Sequence, residues 1–234
     1  MLLLAALAAA VPAAAAGPPV RDSVTAAISR IQSALSIPGC SVQLRALMHS
    51  SYGKASPQRA CSYLRKSLGT FKSPRGAAYG SAAEIDAGTG YAIPATVVLA
   101  LDGDGRYHIA FVEFNYGSIG SKPNPVFTKN ARAAVAAIRT GDCGGFLKVA
   151  YRGFGLGGGS DSAVCSRLPG NSLHRALAAS PKAKLQNLGG NTLHAFYGIS
   201  AGGRYWTIVM AQQTPSSSLP VDAARYAFVD AYPG

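Results

Sequence analysis

Apolar residues recur three and four apart at Val24, Ala27, Ile28, Ile31, Ala34 and Leu35, the stripe of an amphipathic helix, with Asp22 and Ser23 ahead of it as capping residues. Pro38-Gly39 stops that helix just before Cys40. Val42–Met48 predicts a second helical stretch and Ala60–Leu68 a short third, after which Gly, Pro and Ser break the pattern up to Gly80. The character then changes. Ser81–Asp86, Tyr91–Leu101 and Tyr107–Phe114 are rich in β-branched and aromatic residues and predict strands, with Asp102-Gly103-Asp104-Gly105 as a hairpin turn. Residues 117–127, holding Pro123, Asn124 and Pro125, read as a linker.

The second half follows the same plan. Thr128 or Asn130 caps a helix over Ala131–Arg139, which Gly141-Asp142 ends before Cys143. Phe146–Tyr151, a Gly-rich loop up to Cys165, and a short helix around Leu173–Leu177 come next, the last closed by Pro181. Strands are predicted at Lys184–Leu188, Leu193–Ile199 and Tyr205–Gln212, turning at Ala201-Gly202-Gly203, and the tail Val221–Tyr232 adds a last strand or helix. Cys40 and Cys61 bracket a span nearly equal to that between Cys143 and Cys165, and Gly105-Arg106-Tyr107 matches Gly203-Arg204-Tyr205. Ordered landmarks of this kind point to a tandem duplication. The expected organisation is a leader over 1–16 and two α+β units, 17–120 and 121–234, each a short helical layer on an antiparallel sheet.

Composition sharpens the compartment. Met1–Ala16 carries no charge, and Ala14-Ala15-Ala16 offers small residues for cleavage before Gly17, so the segment reads as a secretory signal peptide. Its apolar core is too short to cross ~30 Å of hydrocarbon. Four cysteines in an exported chain imply two bridges, and the duplication selects Cys40–Cys61 and Cys143–Cys165 over the other pairings. The net charge of +12 favours anionic partners such as wall polymers or lipid head groups. Its lysines and arginines are scattered, which sets specific nucleic-acid recognition aside.

Each unit resembles the secreted bacterial domains of the NTF2-like (cystatin-like cone) superfamily. The features that carry the resemblance are the leading helix ending in Arg139-Thr140-Gly141-Asp142-Cys143, a second cysteine some way on, and the final hairpin at Gly203–Trp206. It implies a curved sheet enclosing a cone-shaped pocket. It names no activity, because that superfamily holds isomerases, dehydratases and non-catalytic binding modules.

The candidate chemistry is thin. Asp102, Asp104 and Glu113 fall where an EF-hand loop takes its first, third and last ligands, but Arg106 and Tyr107 stand where it needs an oxygen ligand and a glycine. Gly153–Gly158 fits G-x-G-x-x-G without the acid a dinucleotide site requires further on, and reads as a flexible loop. His49, His108, His174 and His194 lie at non-equivalent places in the two units. Glu84, Asp86, Glu113, Asp222 and Asp230 are the acids left for pocket chemistry, and none has a partner visible in sequence. No catalytic, metal or cofactor residue is assigned. The expectation is a secreted, non-catalytic binder of a small ligand or an anionic envelope component. The alternatives are an acid–base pocket enzyme and a module in which sheets associate.

Overall fold

The structure is a computed structural model and describes residues 22–50, 58, 61–62, 64–65, 75–86, 96–113, 122–152, 155–213 and 224–234. It is an α+β protein with two four-stranded antiparallel sheets. The proposed leader lies outside the described residues. No described helix is long and apolar enough to cross a membrane.

Helix α1 (Val24–Ser36) begins as its sequence demands, with the Ser23 hydroxyl accepting from the Ala26 amide at 3.1 Å. Its stripe of Ala27, Ile31, Ala34 and Leu35 is buried. The short α2 (Ser41–Ala46) follows, and Cys40 bridges to Cys61 across 5.7 Å between Cα atoms and 21 positions of sequence. Strands β1 (Arg75–Tyr79), β2 (Ala82–Asp86), β3 (Thr96–Leu101) and β4 (Tyr107–Glu113) then form one meander in chain order.

In the second half, α3 (Pro125–Thr140) starts earlier than the pattern suggested. Asn124, expected to lie in a linker, caps it by accepting from the Val126 amide at 2.9 Å, and Pro125 takes the first helical position. Proline has no amide to lose there, so the residues read as breakers are starters. Short helices α4 (Cys143–Leu147), α5 (Asp161–Arg167) and α6 (Ser172–Ala178) complete this helical layer. Cys143 bridges to Cys165, 22 positions on. Both bridges have the pairing expected from sequence. Strands β5 (Gln186–Gly190), β6 (His194–Ala201), β7 (Arg204–Gln212) and β8 (Tyr226–Pro233) form the second meander, so the tail resolves as a strand.

The turn equivalence read from sequence is one strand out of step. Gly105 turns β3 into β4, the third and fourth strands of their sheet, whereas Gly202-Gly203 turns β6 into β7, the second and third of theirs. The strand that shifted the count is β1, whose Arg-Gly-Ala-Ala-Tyr has none of the β-branched residues that signalled its neighbours. Bulges match instead between β3–β4, at Val98/Leu99, and β7–β8, at Val209/Met210. Parallel bridges agree as well, Met48 to Ile109 on β4 and Ala150 to Phe228 on β8.

Each sheet buries both faces. One face carries Ala83, Ile85, Val97, Leu99 and Ile109 against α1 and α2, or Tyr197, Ile199, Trp206, Ile208 and Phe228 against α3 to α6. The alternating positions meet across the molecule: Ala82, Val98, Ala100 and Phe111 pack against Phe196, Val209, Val229 and Tyr232. The order is therefore helices, sheet, sheet, helices. Each fully buried large side chain in the middle layer contributes about 1.5–3 kcal/mol, so the two sheets are strongly joined.

Candidate functional site

Polar groups mark the contact between the sheets at two places, one sealed and one open. The sealed cluster is built on β2 and the segment entering β6. Strand alternation turns Ala82 and Glu84 towards the second sheet while Ala83 and Ile85 face the helices. Glu84 Oε1 accepts from Asn191 Nδ2 at 2.5 Å and lies 3.0 Å from His194 Nδ1. Asn191 Oδ1 in turn accepts from the amides of Leu193 and His194, each at 2.8 Å. Glu84, Asn191 and His194 are all 0% exposed, which denies a substrate access to the pair. Glu84 Oε2 has no hydrogen-bond partner among the described residues. Nearby, Tyr79 stacks on Phe196 with centroids 4.2 Å apart, and burial, aided by the Glu84 charge, pushes its phenol up to about 12.

A second bond set fixes the same interface. Gly80 takes φ +65, the sign a type II′ hairpin needs at that position, and a Cβ there would lie 2.7 Å from Thr207 Oγ1. That close approach lets the Ser81 amide donate to Thr207 Oγ1 at 2.9 Å, while the Ser81 hydroxyl donates to the Tyr232 carbonyl at 2.8 Å.

The open place is a cleft of about 460 Å³ where the ends of both sheets meet. From the first half it takes His49, Ser50, Leu101 and Asp102; from the second, Arg204, Trp206, Asp230 and Tyr232 among others. His49 is held by backbone pairing of its own amide to the Ile109 carbonyl at 2.9 Å. Its Nε2 lies 3.1 Å from the Leu101 carbonyl, and its ring meets Tyr232 edge-on at 5.0 Å. Burial lowers the His49 pKa, with the Asp102 charge opposing. Asp102 accepts from the Ser50 amide at 2.8 Å, the Ser50 hydroxyl at 3.0 Å and the Gly103 amide at 2.8 Å. Although burial opposes it, the carboxyl sits below its ordinary range, held there by the Gly103 and Ser50 amides.

Asp230 behaves in the opposite way. The Val229 bulge places it half-buried on β8, where its Oδ1 accepts from the Ala231 amide at 2.9 Å. Burial lifts the carboxyl to about 6, against the weaker pull of that amide and of the Arg167 charge. One wall of the cleft thus carries an ionised carboxylate and another a carboxyl that is protonated up to mild acidity.

The structure separates the sequence candidates. Glu84 and His194, far apart in the chain, come together, with Asn191, which no sequence signal had singled out. An acid set within the apolar run Ala82-Ala83-Glu84-Ile85 was the one signal for Glu84. His49 and Asp230 reach the cleft but do not bond to each other. His108 pairs locally with Asp104, at 3.0 Å to Oδ2, and His174 Nδ1 sits 2.6 Å from the Ile138 carbonyl. Asp102 and Asp104 serve the β3–β4 hairpin, the Asp104 carboxylate accepting from the Arg106 amide at 2.9 Å. The described residues contain no group of three or more acids, histidines or cysteines able to hold a metal. The side chains of Asp86 and Glu113, and all of Asp222, lie outside the described residues. Within the glycine run, Gly155 allows a close approach, because a Cβ there would fall 2.1 Å from the Val229 carbonyl oxygen.

No family model, curated protein or solved structure matches this chain. What the fold and site define is an α+β protein with two disulfides, the mark of an oxidising, extracytoplasmic setting, and a polar cleft where two sheets meet.

Proposed function

We propose that this is a secreted, non-catalytic binding protein that takes a small polar ligand in the cleft between its two units. The observation that carries the reading is the cleft itself, with walls from both halves and Arg204, Asp102, Asp230 and the His49 ring on one concavity. Mixed charge on a rigid frame orients a small zwitterionic or hydrogen-bonding molecule. The helical layer on a sheet is compatible with the NTF2-like resemblance. The face that would line a cone is filled by apolar side chains packed on the helices, so we assign the ligand to the junction instead.

Non-catalytic binding is preferred because the one directly bonded acid–histidine pair across the units among the described residues, Glu84 with His194, is sealed from solvent. A pocket enzyme is the second reading. It draws on Asp230, whose carboxyl at about 6 is suited to giving up a proton near neutrality.

The test is native mass spectrometry of protein purified gently from its own secretion route, repeated on the R204A/D230N double variant. A small molecule retained by the wild type and lost by the variant supports binding in the cleft. A ligand retained equally by both overturns it. Conversion of the recovered molecule on incubation would replace the binding reading with the enzymatic one.

A further inference from the structure

Away from the junction, α3 and the segment entering β5 form a groove of about 380 Å³. Arg132, Val135, Ala136 and Arg139 line it from the helix, at spacings that put them on one face. Lys184 and Leu185 close the other side. Three cations therefore share a groove that no carboxylate among the described residues lines, and the ion pairs among those residues engage none of them. Arg139 is oriented, with Nη2 donating to the Ala183 carbonyl at 3.1 Å. Its Nε is buried and finds no acceptor among the described residues. A buried donor without an acceptor and three unneutralised charges are relieved by the same thing, an oxygen anion. Arg guanidinium groups two helical turns apart, about 10 Å, reach more than one oxygen of such a ligand.

We propose that this groove is an anion site, distinct from the cleft, that binds a phosphate or carboxylate group. Val135 and Leu185 give it an apolar floor for the carbon body of the molecule that carries the group. The groove gives the chain's positive charge one focused place to act.

The probes are inorganic phosphate, pyrophosphate and citrate, titrated calorimetrically into the full protein at low ionic strength. Saturable binding of at least one is expected. It should weaken roughly tenfold for each cation removed in Arg132→Gln and Lys184→Gln, both on the groove's rim. Arg139→Lys, which keeps the charge but loses the fork, should also weaken it. Preference for the phosphates over citrate would assign a phosphorylated ligand, and the reverse a carboxylated one. Lys122→Gln removes an exposed cation outside the groove and should change nothing. Equal weakening by Lys122→Gln, or no saturable binding of any probe, overturns the site.

Discussion

Asp230 is a carboxyl held where its charged form is disfavoured, and the sign of the consequence is fixed. Its folded pKa of about 6 lies above the ordinary 3.8, so the folded chain holds this proton more tightly than the unfolded one. Below about pH 4 the group is protonated in both states and costs nothing. Between pH 4 and 6 the folded state loses ground as pH rises, and above 6 the penalty is complete. Asp230→Asn keeps the acceptor for the Ala231 amide and removes the charge. It should match the wild type in urea unfolding at pH 4 and exceed it at pH 7 by on the order of 2 kcal/mol. A constant difference across that range would mean that the folded state does not raise this group. Asp22 shows the opposite case. The Arg30 guanidinium beside it and the Tyr107 amide at 3.0 Å hold its carboxyl down, tying the start of α1 to β4. Nothing local in the sequence distinguishes the two aspartates, because both environments are made by residues remote in the chain.

Elements were legible where their signals were local. The α1 stripe, the Asp102–Gly105 turn and the apolar Thr96–Leu101 strand appear where period and turn chemistry put them. The start of α3 was not, because Pro123, Asn124 and Pro125 carry the composition of a linker as well as of a helix start. The two placements of the cap predict different mutants. Asn124→Ala should cost about 1 kcal/mol of stability in chemical denaturation, the usual worth of an N-cap. It also loses the Asn124 Nδ2 bond to the Tyr226 hydroxyl, 3.0 Å long, which pins the helix start to β8. Thr128→Val should give less, since Thr128 lies within the helix and its hydroxyl sits 2.9 Å from that of Tyr197. The reverse ranking would return the helix start to the later position. β1 was illegible for a different reason. Gly76 and Ala77 carry no β preference and pair with Ile85 and Glu84 because the Gly80 turn returns the chain there. Missing β1 displaced the match between the two halves by one strand.

At the scale of the molecule, the sequence pattern could not foretell that the two sheets face each other, since an apolar strand face looks the same against a pocket, a partner or another sheet. The buried Glu84–His194–Asn191 cluster belongs to this contact. Apolar packing of Val98, Ala100, Phe196 and Val209 supplies adhesion but tolerates sliding, because apolar contact has no direction. A carboxylate that must meet an imidazole and an amide does not tolerate it. The cluster is therefore expected to set how the sheets register more than how tightly they adhere, a role that some buried polar groups have and others lack. A double-mutant cycle separates the two roles. Glu84→Leu strands the polar groups of Asn191 and His194, and His194→Phe strands the carboxylate, so each should cost about 3–5 kcal/mol in urea unfolding. The Glu84→Leu/His194→Phe double variant removes both side chains while Asn191 goes on accepting from the Leu193 and His194 amides, and it should recover part of that loss, giving a strong non-additive coupling. If register is the cluster's contribution, this double variant regains stability while hydrogen exchange of the β2 and β6 amides quickens and the Ser81–Thr207 contact loosens. Additive losses would instead show that Glu84 and His194 act separately, and unchanged exchange would assign the cluster to stability alone.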